Sequence, residues 1–99
     1  EAHAELNQIS LRNCMNPHAS MQQRVSSCNK ILASSDLTPR ERALVLSVRA
    51  EAYFDAKQEE NALADLEEAI KLWPENGLFQ RQHQFLIEKR NRPDGQRNT

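Results

Sequence analysis

From Ala43 to Pro74 the apolar residues of this chain return every three or four positions, interrupted once at Lys57-Gln58-Glu59-Glu60. That spacing stacks side chains along one face of an α-helix, whereas a half-buried strand needs a period of two. No segment alternates apolar and polar residues, and only two glycines and four prolines punctuate the chain. The pattern therefore predicts an all-α fold.

The same period, followed along the chain, predicts about five helices. Ala2, Leu6 and Ile9 lie at spacings of four and three and predict a short helix over residues 2–11. The stretch Arg12-Asn13-Cys14-Met15-Asn16-Pro17 breaks that period. Pro17 disfavours helical geometry at Asn16 and suits an early position of the next helix. Met21, Val25, Cys28 and Leu32 then recur at four, three and four, predicting a helix over 18–33. Thr38, Pro39 and Glu41 form a capping-box signature, in which each polar side chain satisfies a backbone N–H that the helix itself leaves free. A third helix is expected from there to residue 56. It carries Ala43, Leu46, Ala50 and Tyr53 on one line and Val45, Val48, Ala52 and Ala56 on another, so it should lie between two neighbours. A fourth helix is expected over 59–72, closed by Pro74, and a fifth over 78–89. Residues 91–99 hold no apolar side chain and are expected to form a flexible tail behind a single domain of residues 1–90.

At 99 residues the chain suffices for one domain, and one of this size buries only about 60 to 70% of its unfolded surface. Fourteen acidic residues face 13 basic ones, and a net charge of -1 gives no electrostatic basis for binding nucleic acid or an anionic membrane. No apolar run approaches the roughly 20 residues that cross a bilayer. The sequence begins at Glu1, as expected of a chain whose leader has been removed or of an excised domain.

Counted back from Pro74, Ala69 lies at five residues, Leu66 at eight, Ala62 at twelve, Tyr53 at 21, Ala50 at 24 and Leu46 at 28. This order resembles the tetratricopeptide repeat, a unit of about 34 residues built from two antiparallel helices. The match covers residues 43–76 as one unit and is fainter on either side. Alanines would stand where two helices approach closely, with Tyr53, Leu66 and Leu46 filling the spaces between. The resemblance implies a short right-handed array of antiparallel helices. Lys57 stands where the family commonly has a turn glycine, Glu59 where an aromatic is common and Arg49 where leucine is usual. A branch of the family pairs an arginine at that position with an aspartate on the second helix, which implies an ion pair between Arg49 and Asp65. Two independent solvated charges are the alternative.

Cys14 and Cys28 are the only cysteines, and an even count in a small chain without an initiator Met invites a disulfide. Secreted bacterial relatives of this repeat family show similar cysteine spacing, which implies a secreted or periplasmic location and removal of a signal peptide. With Cys28 about ten residues into its helix, roughly 15 Å along the axis, a segment of four residues reaching about 13 to 14 Å would be nearly taut. A bridge would close a loop of about 14 residues and contribute on the order of 3 kcal/mol. Two reduced cysteines, with Cys28 as a small buried residue, are the other reading.

Catalysis would need a nucleophile, a base and an orienting group, and only Cys14 and His18 come near one another, on either side of Pro17. The three histidines lack metal-ligand spacing, no Cys-x-x-Cys pair is present and no glycine-rich phosphate loop occurs. The acidic run Glu59 to Ile70 reads as the solvated face of an amphipathic helix. No enzyme activity, cofactor or metal is expected. The resemblance implies instead a protein-protein interaction module that takes a peptide or partner helix in a groove. The family's groove positions correspond here to Leu44, Ser47, Glu51, Phe54 and Asp55, and less closely to Leu78, Arg81, Phe85 and Glu88. Phe54 and Phe85 packing against each other or a neighbouring helix is the structural counterpart of that reading. A structural or self-associating scaffold, a homodimer through the last helix, is the alternative function.

Overall fold

The structure, a computed structural model, describes residues 2–91, with side chains from Ile9 onward. Five helices follow in order: α1 Ala2–Met15, α2 Met21–Leu32, α3 Pro39–Asp55, α4 Glu59–Leu72 and α5 Gly77–Arg90. No strand occurs among the described residues. The stripe expected from Ala2 and Leu6, and the tail expected from residue 92 on, lie outside the described side chains and residues.

Two boundaries differ from expectation by more than one residue. Helix α1 continues through Cys14 to Met15 instead of ending near Leu11. Pro17 restricts only Asn16, so the loss of apolar period after Leu11 marks a change of surroundings and not of backbone. Pro17 itself lies in the turn, where the Asn16 Oδ1 accepts from the His18 N–H at 2.9 Å. Helix α2 starts at Met21 because Ser20 caps it. The Gln23 N–H donates to Ser20 Oγ at 3.1 Å, and the Ser20 N–H donates to Gln23 Oε1 at 3.2 Å.

Thr38 and Glu41 form the corresponding capping box at α3, with bonds of 2.8 and 3.1 Å. The far end of α3 closes on itself. The Gln58 N–H returns to the Tyr53 carbonyl at 2.8 Å and the Lys57 N–H to the Phe54 carbonyl at 3.0 Å, the pair of bonds that turns a chain out of a helix. This reversal requires a left-handed residue, and Lys57 supplies it with φ 67°. A Cβ makes that conformation costly.

Each helix packs chiefly on its neighbours in sequence, with a lesser contact between α1 and α3. Short turns make the successive pairs antiparallel. Helix α3 lies between α2 and α4. Val45 faces Cys14, Cys28 and Ile31, and Ala43 and Leu46 join Ala69 and Phe79. A third cluster gathers Ala50, Ala62, Leu63, Leu66 and Leu86. Ala43, Ala50, Ala62 and Ala69 are all buried, and their small size lets α3 and α4 approach closely. Complete burial of Leu66 and Phe79 contributes roughly 1.5–3 kcal/mol each.

A disulfide joins Cys14 to Cys28, with Cα atoms 4.9 Å apart and both residues fully buried. Because Cys14 is itself helical, the bridge joins two packed helices and no taut loop is needed. Two arginines close helix ends nearby. Arg24 Nε donates to the Cys14 carbonyl at 3.2 Å, while Arg42 donates to the carbonyls of Leu32 at 2.9 Å and Ser34 at 3.3 Å. The last carbonyls of a helix have no partner inside it and carry partial negative charge, so a guanidinium serves both needs.

Two outcomes are expected. Lys57→Gly removes the left-handed penalty and stabilises the fold by about 1 kcal/mol, read as a higher urea midpoint at unchanged slope. Replacing both cysteines by alanine lowers stability by on the order of 3 kcal/mol. In the native protein the buried sulfurs should react with a mild reductant only at the rate at which α1 opens, measured by thiol titration over time.

Candidate functional site

Between α3 and α5 a cleft of about 300 Å³ is lined by Ser47, Ala50, Glu51, Phe54, Asp55, Leu66, Gln82, Phe85 and Leu86. Ser47, Glu51, Phe54 and Asp55 follow at four, three and one, which places them on one face of α3. Phe85 and Leu86 come from α5, three and four residues after Gln82 and so one turn further on. Leu66 reaches in from α4 between them. Of the groove positions expected from sequence, the structure brings together Ser47, Glu51, Phe54, Asp55 and Phe85.

Leu44, Leu78, Arg81 and Glu88 do not line this cleft. Leu44 instead borders a separate hollow with Leu11, Ile31, Leu37 and Val45. Leu11 reaches that hollow from α1, which packs beside α2 and also touches α3. Leu78, Arg81 and Glu88 are exposed. Four contributors escaped the sequence reading as cleft residues, Leu86 among them. Ala50 and Leu66 carried a packing signal that hid their second role, and Gln82 is legible only through its spacing from Phe85 and Leu86.

The aromatic residues differ in their environments. Phe54 is half-buried against the Ala50, Leu66 and Leu86 cluster. Phe85 remains 52% exposed, with Lys89 Nζ 5.4 Å from the centre of its ring. On the α3 rim, the Glu51 and Asp55 side chains are 60% and 73% exposed, and the buried Arg24 guanidinium lies behind them at 3.9 and 3.6 Å. Neither acidic group helps its helix. Like charges four residues apart repel, and Asp55 stands at the negative end of the α3 dipole. Gln82 Oε1 is enclosed without a hydrogen-bond partner among the described residues, a state that costs about 1–3 kcal/mol.

Beside the cleft, Arg49 meets Asp65 through two parallel hydrogen bonds. Nε donates to Oδ2 at 2.8 Å and Nη2 to Oδ1 at 2.7 Å. Its Nη1 donates to Asn29 Oδ1 at 2.6 Å, and the guanidinium lies 5.6 Å from the centre of the Tyr53 ring. One side chain thereby ties α2, α3 and α4 together. The hydrogen bonds that Arg49 donates to Asp65 raise its pKa above the ordinary value, and burial works against them. The acidic run of α4 also reaches α5: Glu67 lies 3.2 Å from His83 and Glu60 3.0 Å from Arg90. These last two pairs are exposed and contribute little. Cys14, the one nucleophile placed near His18 by sequence, has its sulfur in the disulfide and offers no thiol.

Asp65→Asn breaks the fork and leaves a largely enclosed guanidinium without its counter-charge, so a loss of about 2 kcal/mol is expected. The double substitution Arg49→Leu, Asp65→Leu should recover part of that loss, because neither partner is then stranded. Urea unfolding of the single and double variants measures both.

No helix among the described residues is long and apolar enough to cross a membrane. Comparison of the chain with protein-family models, curated proteins and solved structures finds no significant match.

Proposed function

We propose that this chain is a non-enzymatic interaction module that takes a peptide or partner helix of another protein in the cleft between α3 and α5. The observation that carries this reading is the pairing of an apolar floor with Phe85, a large aromatic left half in water on the cleft wall. Burying such a ring against a partner is favourable, and aromatic residues in a pocket are the usual anchors of recognition. Glu51 and Asp55 supply counter-charge to the buried Arg24, yet their side chains stay mostly exposed and keep acceptors free for a ligand.

On the same reading, the α3–α4 hairpin is one tetratricopeptide-like unit of a right-handed array. Its support is the run of buried alanines between the two helices, with Tyr53 and Leu66 between them, and the reversal at Lys57. A crystal structure in which the successive hairpins wind left-handed would remove this assignment. The buried disulfide is compatible with an oxidising extracellular compartment, and we assign the chain to a secreted or periplasmic setting. Recovery of the chain from its source with both thiols free would contradict that.

Affinity capture with the wild-type domain, with Phe85→Ala and with the Glu51→Ala, Phe54→Ala double variant tests the groove. The partner should be retained at least tenfold less well by the variants, and its addition should shift the amide signals of residues 47–55 and 82–86. Equal recovery by all three would remove the groove reading. A second reading, self-association through α5, is favoured by Leu78 and Phe85, which lie seven residues apart on one stripe and are 44% and 52% exposed. Light scattering across a dilution series separates the two, since a peptide-binding monomer keeps its mass.

A further inference from the structure

We propose that the occupant of the α3–α5 cleft is a cationic side chain, an arginine or lysine flanked by apolar residues on a segment of a partner protein. This rests on the reading of the cleft as a peptide site and adds the chemistry that the site selects.

The cleft presents acceptors that take no hydrogen bond among the described residues. Glu51 and Asp55 of α3 present exposed carboxylates, and Gln82 of α5 carries an amide oxygen that accepts no hydrogen bond among the described residues. Arg24 and Lys89 stand near, while Arg49 beside the cleft is paired with Asp65. Arg24 of α2 is 5% exposed and spends its Nε on the Cys14 carbonyl. Its other nitrogens lie 3.6 and 3.9 Å from the two carboxylates, beyond hydrogen-bond range, so the carboxylate lone pairs stay free. One guanidinium against two carboxylates leaves a negative charge in excess on the α3 rim. Lys89 stands on the opposite rim, over Phe85. Helix α4 contributes only the apolar Leu66 to the lining.

The sign of the field therefore changes across the cleft and directs an incoming cation to α3. The floor suits the same guest. Arginine and lysine lay their aliphatic stems on apolar surface while the charged head reaches polar groups, here past Ala50, Leu66 and Leu86 toward Glu51 and Asp55. A volume of about 300 Å³ lies at the lower end of ligand pockets. It admits one long side chain and an apolar neighbour.

A random peptide library displayed on phage, selected against the whole oxidised chain, tests this. Peptides with Arg or Lys beside an apolar residue should be enriched, and a labelled enriched peptide should bind E51Q/D55N about tenfold more weakly than wild type, with affinity falling as salt is added. The single variants should each show part of that loss, and E51K/D55K should turn the selection toward acidic peptides. Circular dichroism matching wild type confirms that these exposed substitutions leave the fold intact. Enriched peptides that bind E51Q/D55N as well as wild type, but are lost with Phe85→Ala, would overturn the cationic preference and leave the groove reading standing. No enrichment, or binding indifferent to Phe85→Ala and to the acidic variants alike, would overturn both.

Discussion

Helices that pack chiefly on their neighbours in sequence leave no central core, so each junction of this chain must be held separately. The chain does so with different devices at each one. At α1–α2 it is a buried disulfide with Arg24 on the last carbonyls of α1. At α2–α3, Val45 meets Ile31 while Arg42 closes the end of α2. At α3–α4 the alanines permit close approach and the Arg49–Asp65 fork fixes the register. At α4–α5, Phe79 and Leu86 are buried into clusters that α3 and α4 have begun. Apolar burial supplies the larger share of the energy. The arginines add direction, because a guanidinium bond breaks if a helix slides where a methyl contact does not.

The same arrangement explains why a cleft exists. Helix α4 packs against both α3 and α5 and contributes Leu66 to the floor of the gap between them. Residues facing that gap are free of packing duty on one side. Phe85 is left half in water, and Glu51 with Asp55 form a repulsive pair beside a buried Arg24.

Much of the architecture was legible because it follows local rules. The Thr38–Glu41 box, the limits of α4 and the sandwiching of α3 are consequences of side-chain period and capping chemistry that a linear reading contains. The end of α1 was not. Its apolar period lapses after Leu11, yet the helix continues, since tertiary contact and the bridge to Cys28 hold residues that amphipathicity does not mark. The Ser20–Gln23 box was overlooked beside the stronger signal of Pro17. Half of the candidate groove was legible for the same reason as the helices: Ser47, Glu51, Phe54 and Asp55 share a face at any packing. Leu44, Leu78, Arg81 and Glu88 belong to the correct helices, but which part of a helix borders a gap depends on how neighbours are placed.

The amino-acid sequence by itself determined an all-α chain, its capping at Thr38, the small residues between the third and fourth helices and the absence of a bilayer-length apolar run. These are properties of one helix or one hairpin, fixed by spacings of three and four and by hydrogen bonds within a few residues. The tertiary structure decided that Cys14 sits on a helix within reach of Cys28, that Arg24 stands behind Glu51 and Asp55, and that Gln82 and Leu66 complete the cleft. Those facts join residues from different helices, and only the placement of one helix against another brings them into contact.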